Sequence, residues 1–89
     1  MAWTIEISDV AERSLKKVSS SDAKRIADFL YRRVLAMDNP RRLGQALQGS
    51  KLGDLWRYRV GDFRILCRLQ DQRLVILVVE IGHRRDVYR

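Results

Sequence analysis

The sequence predicts an α+β fold. An N-terminal strand and a two-helix hairpin precede a three-to-four-stranded, mainly antiparallel sheet with helices on one face and a basic opposite face. Three observations lead there. Residues 56–69, WRYRVGDFRILCRL, alternate apolar and basic side chains around Gly61-Asp62, a pair suited to a tight two-residue turn. Residues 9–37 carry two apolar stripes at helical spacing. Residues 74–79, LVILVV, are apolar on both alternating faces, the pattern of an interior strand covered on both sides. Eighty-nine residues form one domain, 1–89, with a single modest core and no repeat or linker to divide it.

In chain order, Trp3, Ile5 and Ile7 alternate with Thr4, Glu6 and Ser8, which predicts a short strand. Asp9 followed by Glu12 has the form of a helix N-cap with its reciprocal carboxylate, and Ala11, Leu15 and Val18 give that helix one apolar face. The run Ser19-Ser20-Ser21-Asp22 ends it and caps the next. Ile26, Phe29, Leu30, Val34 and Met37 form the second stripe, stopped by Asn39-Pro40 because proline cannot continue the backbone ladder. Lys16, Lys17, Lys24, Arg25, Arg32 and Arg33 belong to the solvated outer faces of this pair. Residues 41–54 contain three glycines and no clean period, which predicts a loop with Leu47 and Leu52 as anchors.

The hairpin register follows from its turn. With a two-residue loop, Val60 faces Phe63, Arg59 faces Arg64 and Arg57 faces Leu66. Trp56, Tyr58, Val60, Phe63, Ile65, Cys67 and Leu69 then share one face, and Arg57, Arg59, Arg64 and Arg68 share the other. Like charges directly opposite one another repel, so placing Arg59 across from Arg64 points to an anion at that position. A second two-residue turn at Asp71-Gln72 and a strand from Arg73 to Gly82 would place Val79 opposite Arg64 and bring Gly82-His83-Arg84 near the turn end of the hairpin. The tail, HRRDVYR, is then expected to fold back across the basic face.

The net charge is +7, and its distribution is informative. Residues 1–40 carry seven basic and six acidic side chains, whereas residues 57–89 carry eight and four, and all eight are arginine. Arginine presents a planar fork of donors that fits phosphate or carboxylate, so the bias favours a polyanionic partner. The alternating, acidic start does not read as a secretory signal, and the longest apolar run is too short to cross a bilayer. One cysteine excludes an internal disulfide and a cysteine-based zinc cluster, and fits a reducing cytoplasm; Cys67 lies on the apolar strand face and reads as buried packing.

Conventional catalytic motifs are missing from the sequence: no glycine-rich phosphate loop, no metal-spaced His, Asp and Glu, and no motif joining a serine to His83. No metal or other cofactor is expected. An arginine-lined face could bind RNA, or cleave it without metal, because RNA supplies its own nucleophile in the 2′-hydroxyl. Such an enzyme needs to align that hydroxyl and neutralise charge growing on phosphorus. Arginines suit the second task and are poor at proton transfer. His83 and Tyr88 are the titratable candidates for proton transfer, and Tyr88 could instead stack on an unpaired base.

The pattern ALQGSKLGDLWRYRVGDFRILCRL, followed by VVEIGHRRDVYR, resembles the RelE branch of the RelE/ParE toxin superfamily over nearly the whole chain. The resemblance implies a toxin of a type II toxin–antitoxin pair, held inactive by an acidic RelB-like antitoxin. It further implies cleavage of translated mRNA on the ribosome to leave a 2′,3′-cyclic phosphate, in the cytoplasm. By position, Arg57, Arg59, Arg64, Arg84 and Tyr88 fall on the branch's catalytic residues, with Lys51, Arg68, His83, Arg85 and Arg89 as RNA-binding side chains around them. Arg57 and Arg59 stand where the archetype carries lysines, and arginine donates a proton less readily, so charge stabilisation or His83 would have to carry more of the catalysis. Two alternatives belong to other classes: a ParE-like toxin that binds DNA gyrase, and a non-catalytic RNA- or ribosome-binding module.

Overall fold

The computed structural model describes residues 2–47 and 55–83. Strand β1 (Thr4–Ile7) leads into helix α1 (Asp9–Lys17) and then helix α2 (Ser20–Asp28), which continues as a π-helical segment, Phe29–Val34. A 3₁₀ turn (Pro40–Arg42) and a two-residue strand β2 (Gln45–Ala46) precede the three long strands β3 (Leu55–Val60), β4 (Phe63–Gln70) and β5 (Val75–His83). The strands form one mixed sheet in the order β1-β5-β4-β3-β2. β1 runs parallel to β5, and the other pairings are antiparallel.

The α+β class and the helical layer on one face hold. The core explains why. Tyr58, Ile65, Cys67, Leu69, Ile76, Val78 and Ile81 alternate onto one face of β3–β5, and Ala11, Ile26, Leu30 and Val34 cover them from the helices. Ile5 and Ile7 of β1 pack against the same cluster. Burial of this apolar surface is the main term favouring the fold, at about 25 cal/mol per Å² removed from water. Among the described residues the sheet has five strands rather than three or four. The extra strand is β2, which lies inside the region expected to be loop; two residues are too short for any periodic signal.

Helix starts are set by serines. Ser8, one residue before the expected Asp9, caps α1 by accepting from Ala11 N at 3.1 Å, and its hydroxyl donates to Val79 O at 2.8 Å, tying the helix to β5. Asp9 sits in the first turn, where its charge favours the helix dipole. Ser19 caps α2 through Asp22 N.

The first hairpin has the expected register: Val60 pairs with Phe63, Arg59 with Arg64 and Arg57 with Leu66. Gly61 takes φ +58°, the left-handed conformation the tight turn requires. The second hairpin differs. Its turn spans four residues, Asp71 to Leu74, with Leu74 at φ 53°, and a bulge between Leu66 and Cys67 shifts the register again. Arg64 therefore lies opposite Gly82 rather than Val79. Gly82 has no side chain, so the strand beside Arg64 leaves room for its guanidinium. His83 ends the sheet opposite Phe63, at the turn end of the hairpin as expected.

Candidate functional site

Alternation along β3 and β4 turns Arg57, Arg59 and Arg64 away from the Tyr58–Ile65 core face. The three line one cleft of about 380 Å³. Its position follows from the short edge strand: β2 pairs with Trp56 and Arg57, and Leu47 N donates to Leu55 O, so among the described residues no strand pairs with this edge of β3 from Tyr58 to Val60. Phe29 and Arg33, from the π-helical segment, line the same space together with Leu43, Gly44 and Gln45. The cleft thus reaches around the sheet edge and takes side chains from both layers.

Each arginine is held differently. Arg64, on a central strand, is 8% exposed. Arg57 Nη2 donates to Gln45 Oε1 at 3.1 Å. Arg59 is exposed and, among the described residues, donates to Gly61 O alone, at 3.4 Å. Among the described residues no carboxylate lies within ion-pair distance of Arg57 or Arg59, although arginines elsewhere pair with Asp22, Asp28, Asp38, Asp71 and Glu6. With Arg64 and Arg33 added, the cleft concentrates positive charge, and a partly enclosed surface strengthens the resulting field toward an anion.

The cleft wall is fixed by buried hydrogen bonds. Tyr58, 0% exposed, donates its hydroxyl to Pro40 O at 2.6 Å, and Trp56 Nε1 donates to Leu43 O at 2.6 Å. Arg41 makes two bonds to Asp71, at 2.8 and 3.0 Å, and lies over the Trp56 ring. Gly44 takes φ +78°, and a Cβ there would stand 2.5 Å from Arg57 O and 2.8 Å from Tyr58 Cδ1, so only glycine lets the loop approach β3 this closely.

Among the described residues lining the cleft there is no His, Lys, Cys, Tyr, Asp or Glu side chain. Burial pushes the Tyr58 phenol far above its ordinary value, so it serves as a hydrogen-bond donor and not as an acid at neutral pH. Burial likewise pushes the Cys67 thiol up to about 12, in keeping with packing rather than nucleophilic chemistry. His83 is on the other side of the sheet. It shares a face with Phe63, its ring meeting that ring edge-on at 5.3 Å, and it borders Lys17, Asp22 and Glu80 near the helices. The sequence offers His83 as a proton donor at the arginine face; alternation instead puts its side chain on the face of Phe63, opposite to that of Arg64. Arg68 shares the arginine face but does not line the cleft. Lys51, Arg84, Arg85, Tyr88 and Arg89, together with Leu52, lie outside the described residues. Among the described residues no three His, Cys, Asp or Glu side chains converge to hold a metal.

Sequence reading missed Phe29, Arg33 and Gln45. Phe29 was assigned to the helical core stripe and Arg33 to a solvated face, and their meeting with β3 is a tertiary contact with no local signature.

The fold is that of small α+β domains seen in solved RelE toxins. The toxin–antitoxin complex RelBE2 from Mycobacterium tuberculosis contains a chain that superposes with a TM-score of 0.80, at 22% identity over 93% of this chain and 99% of that one. The isolated E. coli RelE toxin gives a TM-score of 0.72 at 15% identity, covering 92% of this chain and 84% of that one. In sequence, toxin RelG of Mycobacterium tuberculosis is 26% identical over 89 residues, covering 100% of this chain and 99% of its own. The model of the ParE toxin of type II toxin–antitoxin systems matches residues 5–88. The chain belongs to this RelE/ParE family of type II toxins. No helix among the described residues is long and apolar enough to cross a membrane.

Proposed function

We propose that this toxin is a metal-independent endoribonuclease that cuts translated mRNA on the ribosome, in the cytoplasm, and thereby stops translation. The observation that carries the reading is the convergence of Arg57, Arg59 and Arg64 on one cleft, with no carboxylate near Arg57 or Arg59 among the described residues. In the proposed reaction the RNA 2′-oxygen attacks the adjacent phosphorus in line. The bond from phosphorus to the 5′-oxygen breaks, giving a 2′,3′-cyclic phosphate and a free 5′-hydroxyl. One proton leaves the 2′-hydroxyl and one is delivered to the departing 5′-oxygen.

Arg57, Arg59 and Arg64 are assigned to the phosphate oxygens, whose negative charge rises in the transition state. Electrostatic stabilisation by fixed guanidinium groups asks nothing of their titration, which suits arginine at positions where the archetype has lysine. Arg84 and Tyr88 complete the proposed catalytic set. Support for their placement comes from β5, which ends at His83, one residue past the pairing of Gly82 with Arg64. Lys51, Arg68, Arg85 and Arg89 are assigned to surrounding RNA contacts. His83, facing the helices, has no assigned part in proton transfer.

The partner of the proposed toxin is an acidic RelB-like antitoxin that covers the arginine cleft or displaces the tail. Support comes from the +7 net charge and from solved relatives crystallised as RelB–RelE complexes. Association is expected to slow as salt rises.

Expression of the wild type against Arg64→Ala, with growth and mRNA 5′ ends followed together, tests the function. The wild type should arrest growth and create new 5′ ends within translated messages, and Arg64→Ala should do neither. Growth arrest without new ends would overturn the nuclease reading. Stoichiometric inhibition of gyrase supercoiling by the purified protein would then favour the ParE-like alternative.

A further inference from the structure

The cleft is built for more than a phosphate. Its strand arginines supply the charge, yet its lining also includes an aromatic ring beneath a guanidinium: Arg33 Cζ lies 5.5 Å from the centroid of Phe29. Leu43 adds an apolar side chain, and the volume of about 380 Å³ falls within the range of sites that hold whole organic ligands. An inorganic anion has no use for a stacked plane.

The plane is also held in place. Phe29 packs edge-on against Tyr58 with centroids 5.8 Å apart, and Tyr58 is itself fixed by its bond to Pro40 O. Phe29 opens the π-helical segment, in which Leu35 N donates to Leu30 O five residues back. Such segments are rare inside helices and frequent at functional sites. Here the segment places Phe29 and Arg33 together along the β3 edge.

Gln45, paired with Arg57 across the β2–β3 ladder, supplies a polar edge to the cleft. Because Arg57 Nη2 is a donor, it fixes the Gln45 amide with Oε1 turned toward it, which leaves the amide NH₂ as the group offered to a ligand. A guanidinium-and-aromatic plane for stacking, an amide donor for an acceptor-bearing edge and adjacent arginines for a phosphate together match a nucleotide.

We propose that Phe29, Arg33 and Gln45 form a seat for one nucleobase beside the phosphate held by Arg57, Arg59 and Arg64. This rests on the RNA-cleaving reading and adds to it a source of base preference. The base stacks on the Arg33–Phe29 plane, which tolerates any base, and the Gln45 NH₂ favours edges that present acceptors.

The test titrates the full-length protein with the four nucleoside 5′-monophosphates and with ribose 5-phosphate, followed by NMR at low salt. At least one nucleotide should bind about tenfold more tightly than ribose 5-phosphate, as expected for one stacked base. Arg33→Lys, which keeps the charge at an exposed position and removes the plane, should abolish that difference while leaving ribose 5-phosphate binding unchanged. Phe29→Leu should act in the same direction, with a thermal melt to confirm folding. Equal binding of nucleotides and ribose 5-phosphate, no detectable binding of either, or an unchanged difference in Arg33→Lys would overturn the proposal. The nuclease reading fails separately: base-dependent binding by a protein that cuts no message keeps the seat and removes the reaction. Message cleavage without base-dependent binding does the reverse.

Discussion

Arg41 is clamped by two hydrogen bonds to Asp71 and lies over Trp56, whereas among the described residues Arg59 reaches only the backbone oxygen of Gly61. Arg59 lies within β3 and Arg41 in the 3₁₀ turn that packs against the same hairpin, and they carry the same charge. Around Arg41, the charge has a counter-charge, and the nearby Tyr58 and Trp56 donors each meet a backbone carbonyl. Around Arg59, a second arginine stands directly across the strand pair. The first region has the interactions of a structural clamp. In the second, like charges facing one another across a strand pair are unfavourable, and under the proposed function an RNA phosphate would relieve them. Local repulsion of this kind, supported by a rigid neighbouring wall, is how a small domain can keep a binding site preorganised.

The largest expected effect comes from breaking the cleft side of this contrast. Arg59→Ala should lower message cleavage by about a hundredfold or more, as for the loss of one group that stabilises transition-state charge. Its thermal midpoint should move by less than about 4 °C, because the side chain is exposed and no carboxylate among the described residues pairs with it. Primer extension and a circular-dichroism melt measure the two quantities, and a collapse of the melt would place Arg59 among the structural clamps instead.

Tyr58→Phe should show the opposite balance. It strands the buried carbonyl of Pro40 at a cost of about 1–3 kcal/mol, and each kcal/mol lowers the midpoint of a domain this size by about 4–8 °C. Activity should fall only as far as the loosened wall displaces the arginines. Thermal melts and cleavage yields on the same preparation separate the two.

Asp71→Asn should have the smallest effect. Its side chain is 58% exposed and that of Arg41 is 28% exposed, so solvent screening holds the pair below about 1 kcal/mol. The hydrogen bond from Arg41 holds the Asp71 carboxyl below its ordinary value. A depressed folded-state pKa contributes stability above the unfolded value of about 3.9, lost as pH falls through the folded one. Wild type and Asp71→Asn should therefore differ slightly at neutral pH and converge in acid. A difference that grows on acidification would contradict this assignment.

Legibility in the sequence followed the range of the interactions. Alternation and one Gly61-Asp62 turn were enough to place Arg57, Arg59 and Arg64 on a shared face, because strand period and turn length are local properties. The second hairpin was misregistered because Leu74 adopts a left-handed conformation with no glycine to announce it, and because a bulge leaves no compositional mark. Strand β2 and the π-helical segment escaped for a related reason. The first is two residues long, and the second differs from an α-helix by a hydrogen-bond shift that composition does not encode. Phe29 and Arg33 belong to the cleft through packing of a helix against a sheet edge, a contact between distant parts of the chain. His83 was placed at the correct end of the sheet and on the wrong face. Its neighbour Gly82 pairs with Arg64, and one residue of alternation reverses the side.

The central claim, the proposal that an RNA phosphate relieves the repulsion between Arg59 and Arg64, is tested most directly by thermal melts with a short RNA whose cleavage site carries 2′-deoxyribose. At a hundredfold excess over its dissociation constant the RNA should stabilise the wild type by about 2.7 kcal/mol. Arg73→Ala, which removes an arginine paired with Glu6 away from the cleft, should respond like the wild type. Arg59→Ala should melt close to the free wild type and gain little from the same RNA. Equal stabilisation of the wild type and Arg59→Ala would contradict the account.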